Sequence, residues 1–178
     1  MQVTTVVIIG AGHAGLAMSR ALSMKSVEHV VIDQGGPGHA WRTQRWDSLK
    51  TLTPNWANGL PGMPYEGTEP NGFMTARMFA SQIERYADHI AAPLQTKCRV
   101  ERVRYLSDRN FVETSQGPIV CEALVIATGA ASRARVPVFA DQLPGRITQL
   151  TPDRYRTPLD LPNGNVLVVG ASATGVQL

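Results

Sequence analysis

Three glycines near the amino terminus have the spacing of a phosphate-binding turn. They are Gly10, Gly12 and Gly15, within the segment Gly-Ala-Gly-His-Ala-Gly. In a G-x-G-x-x-G turn the first glycine makes the tight bend, the second lets the backbone approach a diphosphate, and the third lets the next helix pack closely on the preceding strand. The start of such a helix also offers free N–H groups and a positive dipole end to an anion. Residues 10–15 therefore predict a dinucleotide site.

The segments around this turn have the order of a βαβ unit. The apolar, β-branched run 4–9 predicts a strand buried on both faces, 14–24 predicts a helix, and 29–33 predicts a second strand. The second strand ends in Asp33, 18 residues after Gly15, near the position of the acid that binds a ribose 2′-hydroxyl. A carboxylate there repels a 2′-phosphate, which favours FAD or NAD over NADP. The alternative role for Asp33 is to cap the turn that follows it.

Neighbouring positions complete the set of residues that we expect at the nucleotide. His13 and Ala14 occupy the variable positions of the glycine motif, and Gln34 follows Asp33. For His13, a place in solvent at the helix start is a simpler explanation than catalysis.

The overall composition is that of an ordinary globular protein. The chain has 178 residues, of which 43% are hydrophobic and 17% charged, enough for one complete core. The net charge of +3 comes from scattered basic residues, so nucleic-acid binding has little support. No apolar run has the length of a membrane span, and no leader-like segment precedes the first strand. Cys98 and Cys121 lack metal-ligand or redox spacing, so we expect reduced thiols, no metal, and a soluble cytoplasmic protein.

Residues 34–72 lack periodicity but contain three tryptophans, Trp41, Trp46 and Trp56. A long irregular stretch in a compact domain usually covers a ligand or is disordered, and the tryptophans argue against disorder. Trp41 and Arg42 are suitable to flank a flat ring and a phosphate. The alternative is that the indoles cover the edge of the core.

The next segments predict a helix, a β-meander and a buried strand. Helical spacing over 73–90 places apolar residues on one face, with Thr75 as the N-cap. The apolar run 123–127, which includes Ala127, predicts a buried strand that ends in a turn at Thr128 and Gly129 and faces the glycine turn. Four further segments predict a short parallel strand and a three-stranded antiparallel meander: 94–96, 100–106, 110–114 and 118–121.

Four segments of the irregular region carry a recognisable pattern: 41–49 (Trp-Arg-Thr-Gln-Arg-Trp-Asp-Ser-Leu), 52–54, 60–62 and 64–65. Together with the order of the elements, they resemble bacterial flavin-containing monooxygenase-like oxidoreductases, which are flavoproteins with two dinucleotide sites. The resemblance implies that the three glycines and Asp33 bind the ADP half of FAD. It also implies that Trp41, Arg42 and Thr53 lie along the flavin, that the main chain of Val100 touches the adenine, and that Thr128 and Gly129 close over the cofactor.

The resemblance continues into a linker. Residues 147–150 and 155–158 are similar to the segment before the NAD(P)H domain, where an aromatic residue follows a histidine by four positions. Thr151 stands where that histidine is expected. Because the histidine belongs to the monooxygenase signature, this departure weakens the inference of monooxygenation.

A second glycine turn follows the linker. The apolar run 165–169 predicts another buried strand, and 170–175 repeats the glycine motif with Ser172 in place of the middle glycine. This resembles the start of an NAD(P)H site, with Gly170, Ser172 and Gly175 as its cofactor-binding residues. The alternative is an ordinary strand-to-helix turn.

We therefore predict an α/β fold. A Rossmann-like FAD-binding domain with a central parallel sheet and an antiparallel β-meander spans 1–130, a linker spans 131–164, and 165–178 begins a second, NAD(P)H-binding βαβ unit. Because that unit stops at residue 178, we expect a truncated chain that is inactive alone. We also expect 166–169 to act as an exposed strand edge that favours self-association into a homo-oligomer.

Two functions of different class follow from these features. In the first, the full protein is an enzyme in which NAD(P)H reduces the flavin and dioxygen then oxygenates a small substrate. In the second, the chain is a non-catalytic flavin- or nucleotide-binding module completed by a partner. A disulfide reductase is less favoured because no redox C-x-x-C is present. No acid–base pair or nucleophile stands out, so no catalytic residue is assigned, although Arg42, Arg45 and His39 are loop candidates.

Overall fold

The computed structural model describes residues 1–129 and 134–178. Its six strands are β1 (Gln2–Ile9), β2 (His29–Ile32), β3 (Leu94–Gln95), β4 (Val100–Leu106), β5 (Arg109–Thr114) and β6 (Ile119–Ile126). Its α-helices are α1 (His13–Ser23), α2 (His39–Thr43), α3 (Ala76–His89) and α4 (Ala173–Gln177), and short 3₁₀ helices occupy Asn55–Asn58, Val138–Gln142 and Pro158–Asp160. The boundary predicted between residues 130 and 131 lies outside the described residues.

All six strands form one sheet in the order β3-β2-β1-β6-β5-β4. β1 pairs in parallel with β2 on one side and with β6 on the other, and β3 continues the parallel half beyond β2. β5 and β4 add an antiparallel half next to β6. β2 and β6 both follow β1 in the chain but pair with its opposite edges, and ligands of open α/β sheets bind at the carboxyl end of a strand in this position.

The side chains of β1 alternate between two apolar layers, as the sequence predicts for a strand buried on both faces. Val7 is fully buried with Val30 and residues of the β-meander on one face. Val6 and Ile8 pack with Val31 on the other face. The β-branched composition of the strand follows from this two-sided burial, because neither face is left to solvent.

The predicted helix over 73–90 is confirmed, with shorter bounds, as α3. Phe79, Ile83 and Tyr86 are buried and pack against Leu16 of α1. Thr75 caps the helix, because its hydroxyl accepts a hydrogen bond from the amide of Met78 at 3.3 Å. The apolar face of α3 is therefore packed against α1.

The sequence prediction of separate strands over 118–121 and 123–127 is wrong. Both belong to the single strand β6, which pairs with β5 through its first residues and with β1 along its length. Glu122 gave the appearance of a break, but its side chain is exposed and pairs with Arg109 at 3.3 Å. A strand has two hydrogen-bonding edges, so one segment serves both halves of the sheet.

The strand predicted over 165–169 does not form in the structure. The segment has no regular secondary structure, and its apolar side chains are exposed, from 45% at Val168 to 85% at Leu167. A parallel strand needs a neighbour that satisfies its N–H and C=O groups, and no described segment pairs with this one.

The cap of α3 gives a direct test of the helix assignment. Replacing Thr75 by alanine removes the hydroxyl that accepts the Met78 amide, and we expect the free energy of unfolding to fall by about 1 kcal/mol. Urea denaturation followed by circular dichroism measures this change. Thr75→Ser is the control and should retain most of the stability, because it keeps the hydroxyl. An alanine variant as stable as the wild type would contradict the capping role.

Candidate functional site

A crevice of about 740 Å³ opens at the carboxyl ends of β1, β2 and β6. This is the switch point of the sheet, and the volume falls within the range of small-molecule sites. The crevice brings together eleven of the residues predicted from the sequence: Gly10, Gly12, His13, Ala14, Asp33, Gln34, Trp41, Val100, Ala127, Thr128 and Gly129.

The first and third glycines of the turn are required by close backbone contacts. Gly10 has a φ of +111°, and a Cβ there would lie 2.3 Å from the carbonyl oxygen of Ala127. A Cβ on Gly15 would lie 1.9 Å from the carbonyl oxygen of Gly10. Neither position accepts a side chain, because the contacting atoms belong to the backbone. Gly15 therefore packs α1 onto the strand behind the crevice and does not line it.

Gly12, the middle glycine of the turn, is not required by backbone contacts. A Cβ on Gly12 would meet no heavy atom within 4 Å, and Gly12 has an extended backbone that any residue adopts. Neither the packing nor the backbone conformation of the protein therefore requires a glycine at position 12. The open space lies at the start of α1, where no described hydrogen bond uses the amides of Gly12, His13 and Ala14. Helix-start amides of this kind bind anions.

Asp33 joins the two loops that border the crevice. One of its carboxylate oxygens accepts the amide of Ala11 at 2.8 Å, and the other accepts the amides of Gly35 at 2.8 Å and Gly36 at 2.7 Å. The turn-capping alternative is thus observed. A carboxylate accepts about four hydrogen bonds, so these three leave room for one further donor in the crevice.

Trp41 and Arg45 form one wall of the crevice. The Trp41 ring packs edge-on against Phe79, with centroids 4.6 Å apart. The guanidinium of Arg45 lies 5.6 Å from the centre of the Trp41 ring, which is within cation–π distance. Burial lowers the pKa of Arg45 from its ordinary value, and the negative charge of Asp153 acts in the opposite direction. The guanidinium is therefore held partly out of water.

The charged groups of the crevice favour an anionic ligand. Arg45 and Arg99 line it, although Arg99 also pairs with Glu101 at 3.2 Å, whereas Asp33 is its only acidic lining residue among the described residues. The carboxylate of Asp33 is already hydrogen-bonded to three amides. A diphosphate at the helix start would therefore meet unpaired donors and positive charge.

Arg42 and Thr53, expected along the flavin, lie outside the crevice lining. The guanidinium of Arg42 donates to both carboxylate oxygens of Glu84, at 2.7 and 2.6 Å, and to the hydroxyl of Ser81 at 2.9 Å. These hydrogen bonds raise the pKa of Arg42 and lower that of Glu84. The Thr53 hydroxyl is exposed and donates to the side chain of Asn58. The ion pair with Glu84 holds Arg42 outside the crevice, and the hydrogen bond to Asn58 holds Thr53 outside it.

The second glycine turn has the local geometry of the first. Gly170 has a φ of +119°, and a Cβ on Gly175 would lie 2.1 Å from the Gly170 carbonyl oxygen. Ser172 is the N-cap of α4, with φ −85° and ψ −178°, compared with −78° and −177° for Gly12. This turn lies apart from the crevice, since none of its three predicted residues lines it.

Sequence reasoning did not assign several lining residues to the site. They include Gln44, Cys98, Arg99, Gly36 and Gly38. Arg45 and His39 also line the crevice, but the sequence named them only as loop candidates. Arg99 immediately precedes Val100, so a search around each predicted contact would have found it. Cys98 is buried and lies in the core beneath the crevice.

Residues 1–129 and 134–178 contain neither a membrane-spanning helix nor a metal-binding cluster. No helix there is long and apolar enough to cross a membrane. No cluster of three or more His, Cys, Asp or Glu side chains in the same residues has an arrangement that holds a metal ion.

Comparisons with known proteins agree with this geometry. An uncharacterized oxidoreductase described as CzcO-like, from Geobacillus kaustophilus, is 35% identical over 178 residues, which are 99% of this chain and 51% of that protein. An indole-3-pyruvate monooxygenase from Arabidopsis thaliana is 28% identical over 99% of this chain and 44% of its own length. The chain thus spans about half the length of these relatives.

Solved structures and a family model give the same assignment. A variant of the flavin monooxygenase from Stenotrophomonas maltophilia superposes with a TM-score of 0.78 and 26% identity, over 89% of this chain and 48% of that one. The resemblance to flavin-containing monooxygenases is thereby confirmed. The model of the pyridine nucleotide-disulphide oxidoreductases matches residues 7–178. The chain therefore belongs to the pyridine nucleotide-disulphide oxidoreductase family.

Proposed function

We propose that the crevice binds FAD and that the full protein is a flavin-dependent oxidoreductase, a monooxygenase that uses NAD(P)H and dioxygen on a small organic substrate. The observation that carries the proposal is the open space at Gly12. It adjoins unpaired helix-start amides, and the intramolecular packing gives no reason for a glycine there. Close approach of a diphosphate supplies that reason.

The residues present fit such a cofactor. The amides of Gly12, His13 and Ala14 are available to the diphosphate, and Asp33 has one acceptor position left for a ribose hydroxyl. Val100 and Arg99 line the part of the crevice beyond β2, where the family resemblance expects the adenine. Trp41 and Arg45 line the wall next to α2, where it expects the flavin.

In this proposal the protein provides position and environment for the reaction. FAD held in the crevice would supply the redox chemistry, with NAD(P)H as the electron donor and dioxygen as the electron acceptor. The glycine turn fixes the diphosphate, while the Trp41 ring, held by Phe79, excludes water from one side of the crevice. Arg45 contributes a positive charge in a partly buried place, where charge interactions are stronger than in bulk water.

The second glycine turn is proposed to begin the NAD(P)H site. The matching φ of Gly170 and the matching contact of Gly175 support this role, with Ser172 in the position of the middle glycine. The corresponding division is an FAD-binding domain over 1–130, a linker over 131–164 and the start of the second nucleotide unit over 165–178. A cytoplasmic location and self-association through 166–169 belong to the same proposal, the latter because these apolar side chains are exposed.

The alternative function is a flavin- or nucleotide-binding module without activity of its own. The absorption spectrum of the purified protein, before and after addition of NADPH, distinguishes the two. Bleaching of a yellow protein supports the oxidoreductase, and a yellow protein indifferent to NADPH supports the module. A colourless protein that binds no FAD on titration would contradict both.

Two glycine variants test the cofactor site. Gly12→Ala should weaken FAD binding by roughly tenfold or more, because the methyl group enters the diphosphate position, and should change unfolding by less than about 1 kcal/mol. Gly15→Ala should lower stability by about 1–3 kcal/mol or more, because its methyl carbon collides with the Gly10 carbonyl. FAD titration and urea denaturation measure the two effects. Equal FAD affinity in wild type and Gly12→Ala would refute the assignment.

Two arginine variants test which guanidinium serves the cofactor. Arg45→Ala should lower FAD affinity by roughly tenfold, because it removes a charged group from the crevice wall. Arg42→Ala is the matched control and should leave FAD affinity within about twofold, because Arg42 pairs with Glu84 outside the crevice. Fluorescence quenching of FAD on binding gives both affinities. The reverse ranking would show that Arg42 turns inward when the cofactor binds.

A further inference from the structure

Residues 41–50, which comprise the end of α2 and the loop after it and are here called the bridging loop, contact both of the proposed nucleotide-binding elements. On one side, Trp41, Gln44 and Arg45 line the FAD crevice. On the other side, Trp46 and Lys50 hold the helix α4 of the second glycine turn. A single ten-residue segment therefore forms a wall of the first site and a support for the second turn.

The support for α4 consists of two hydrogen bonds to one residue. The indole N–H of Trp46 donates to the main-chain carbonyl oxygen of Gln177 at 3.2 Å, and the amide of Lys50 donates to the Gln177 side-chain oxygen at 3.2 Å. Trp46 is only 4% exposed and packs with Leu49 and Ala76. A buried indole N–H needs a partner, so Gln177 satisfies a requirement of the loop.

The linker is held by the same loop. The amide of Asp47 donates to the carbonyl oxygen of Arg156 at 2.9 Å, and the guanidinium of Arg156 donates to the carbonyl oxygen of Thr43. The Tyr155 ring packs against the cluster around Trp46, which also contacts Trp41. Trp41, which lines the crevice, and Trp46, which holds α4, therefore belong to one packed group.

An electrostatic interaction also relates the linker to the crevice wall. Asp153 of the linker acts electrostatically on Arg45 of the crevice wall. One carboxylate oxygen of Asp153 is buried and has no hydrogen-bond partner.

We propose that FAD in the crevice and the docking of the second glycine turn stabilise each other through the bridging loop, with Trp46 and Gln177 as positioning residues. This inference rests on the proposed binding of FAD. Neither residue lines the crevice, so each acts through the loop. Because such coupling is reciprocal, loosening α4 weakens FAD binding by the same factor by which FAD tightens α4.

Hydrogen exchange of the 178-residue chain tests the coupling. The amides to follow are those of Val176 and Leu178, which donate to the carbonyl oxygens of Ser172 and Thr174. Saturating FAD should slow their exchange by about fivefold or more, the lower end of usual coupling strengths. Trp46→Phe and Gln177→Ala each remove one of the two hydrogen bonds, so the effect of FAD should fall in each variant and disappear when the two are combined. Gln177→Glu should preserve it, because the oxygen that accepts the Lys50 amide remains.

Trp56→Phe is the matched control, because Trp56 is 63% exposed on a different part of the irregular region. It should show the same dependence on FAD as the wild type. FAD binding is measured separately by titration in each protein, so two failures are distinguishable. If FAD binds and the two amides exchange at the same rate with and without it, the coupling is refuted while the proposed cofactor stands. If no FAD binds, the proposed function is refuted and this inference with it.

Discussion

The close approach of α1 to the ends of β1 and β6 is the constraint on which the site depends. The Cα of Gly15 lies so near the Gly10 carbonyl that a Cβ would be 1.9 Å from its oxygen, and a Cβ on Gly10 would be 2.3 Å from the carbonyl oxygen of Ala127. This packing brings the first turn of the helix to the edge of the sheet. The unpaired amides there, the switch point of the sheet and the carboxylate of Asp33 consequently meet in one crevice.

Local sequence information was sufficient for much of this arrangement. The βαβ order, the burial of β1 on both faces and the cap of α3 by Thr75 follow from periodicity and short-range hydrogen bonding. Residues just beyond the end of a strand, such as Gln34 and Thr128, line the crevice in the structure. In each case the sequence pattern that predicts the feature lies within a short stretch of the chain.

Long-range partners explain the differences. Whether Arg42 or Arg45 faces the crevice depends on Glu84, which lies about forty residues later and pairs with Arg42. The continuity of β6 depends on two different neighbouring strands, and the run 166–169 remains irregular because it has no neighbour among the described strands. The amino-acid composition of a segment indicates which secondary structure it is able to form, whereas the neighbouring segments in the fold decide which one it does form.

The hydrogen bonds of Asp33 have a consequence for how mutagenesis at this position is interpreted. Its carboxylate ties Ala11 of the first loop to Gly35 and Gly36 of the second, so an alanine at position 33 would release three amides at once. A loss of nucleotide affinity in that variant would combine a rearranged entrance with the loss of the proposed ribose contact. Only a nucleotide lacking the 2′-hydroxyl, bound to the unaltered protein, isolates the energy of that single contact.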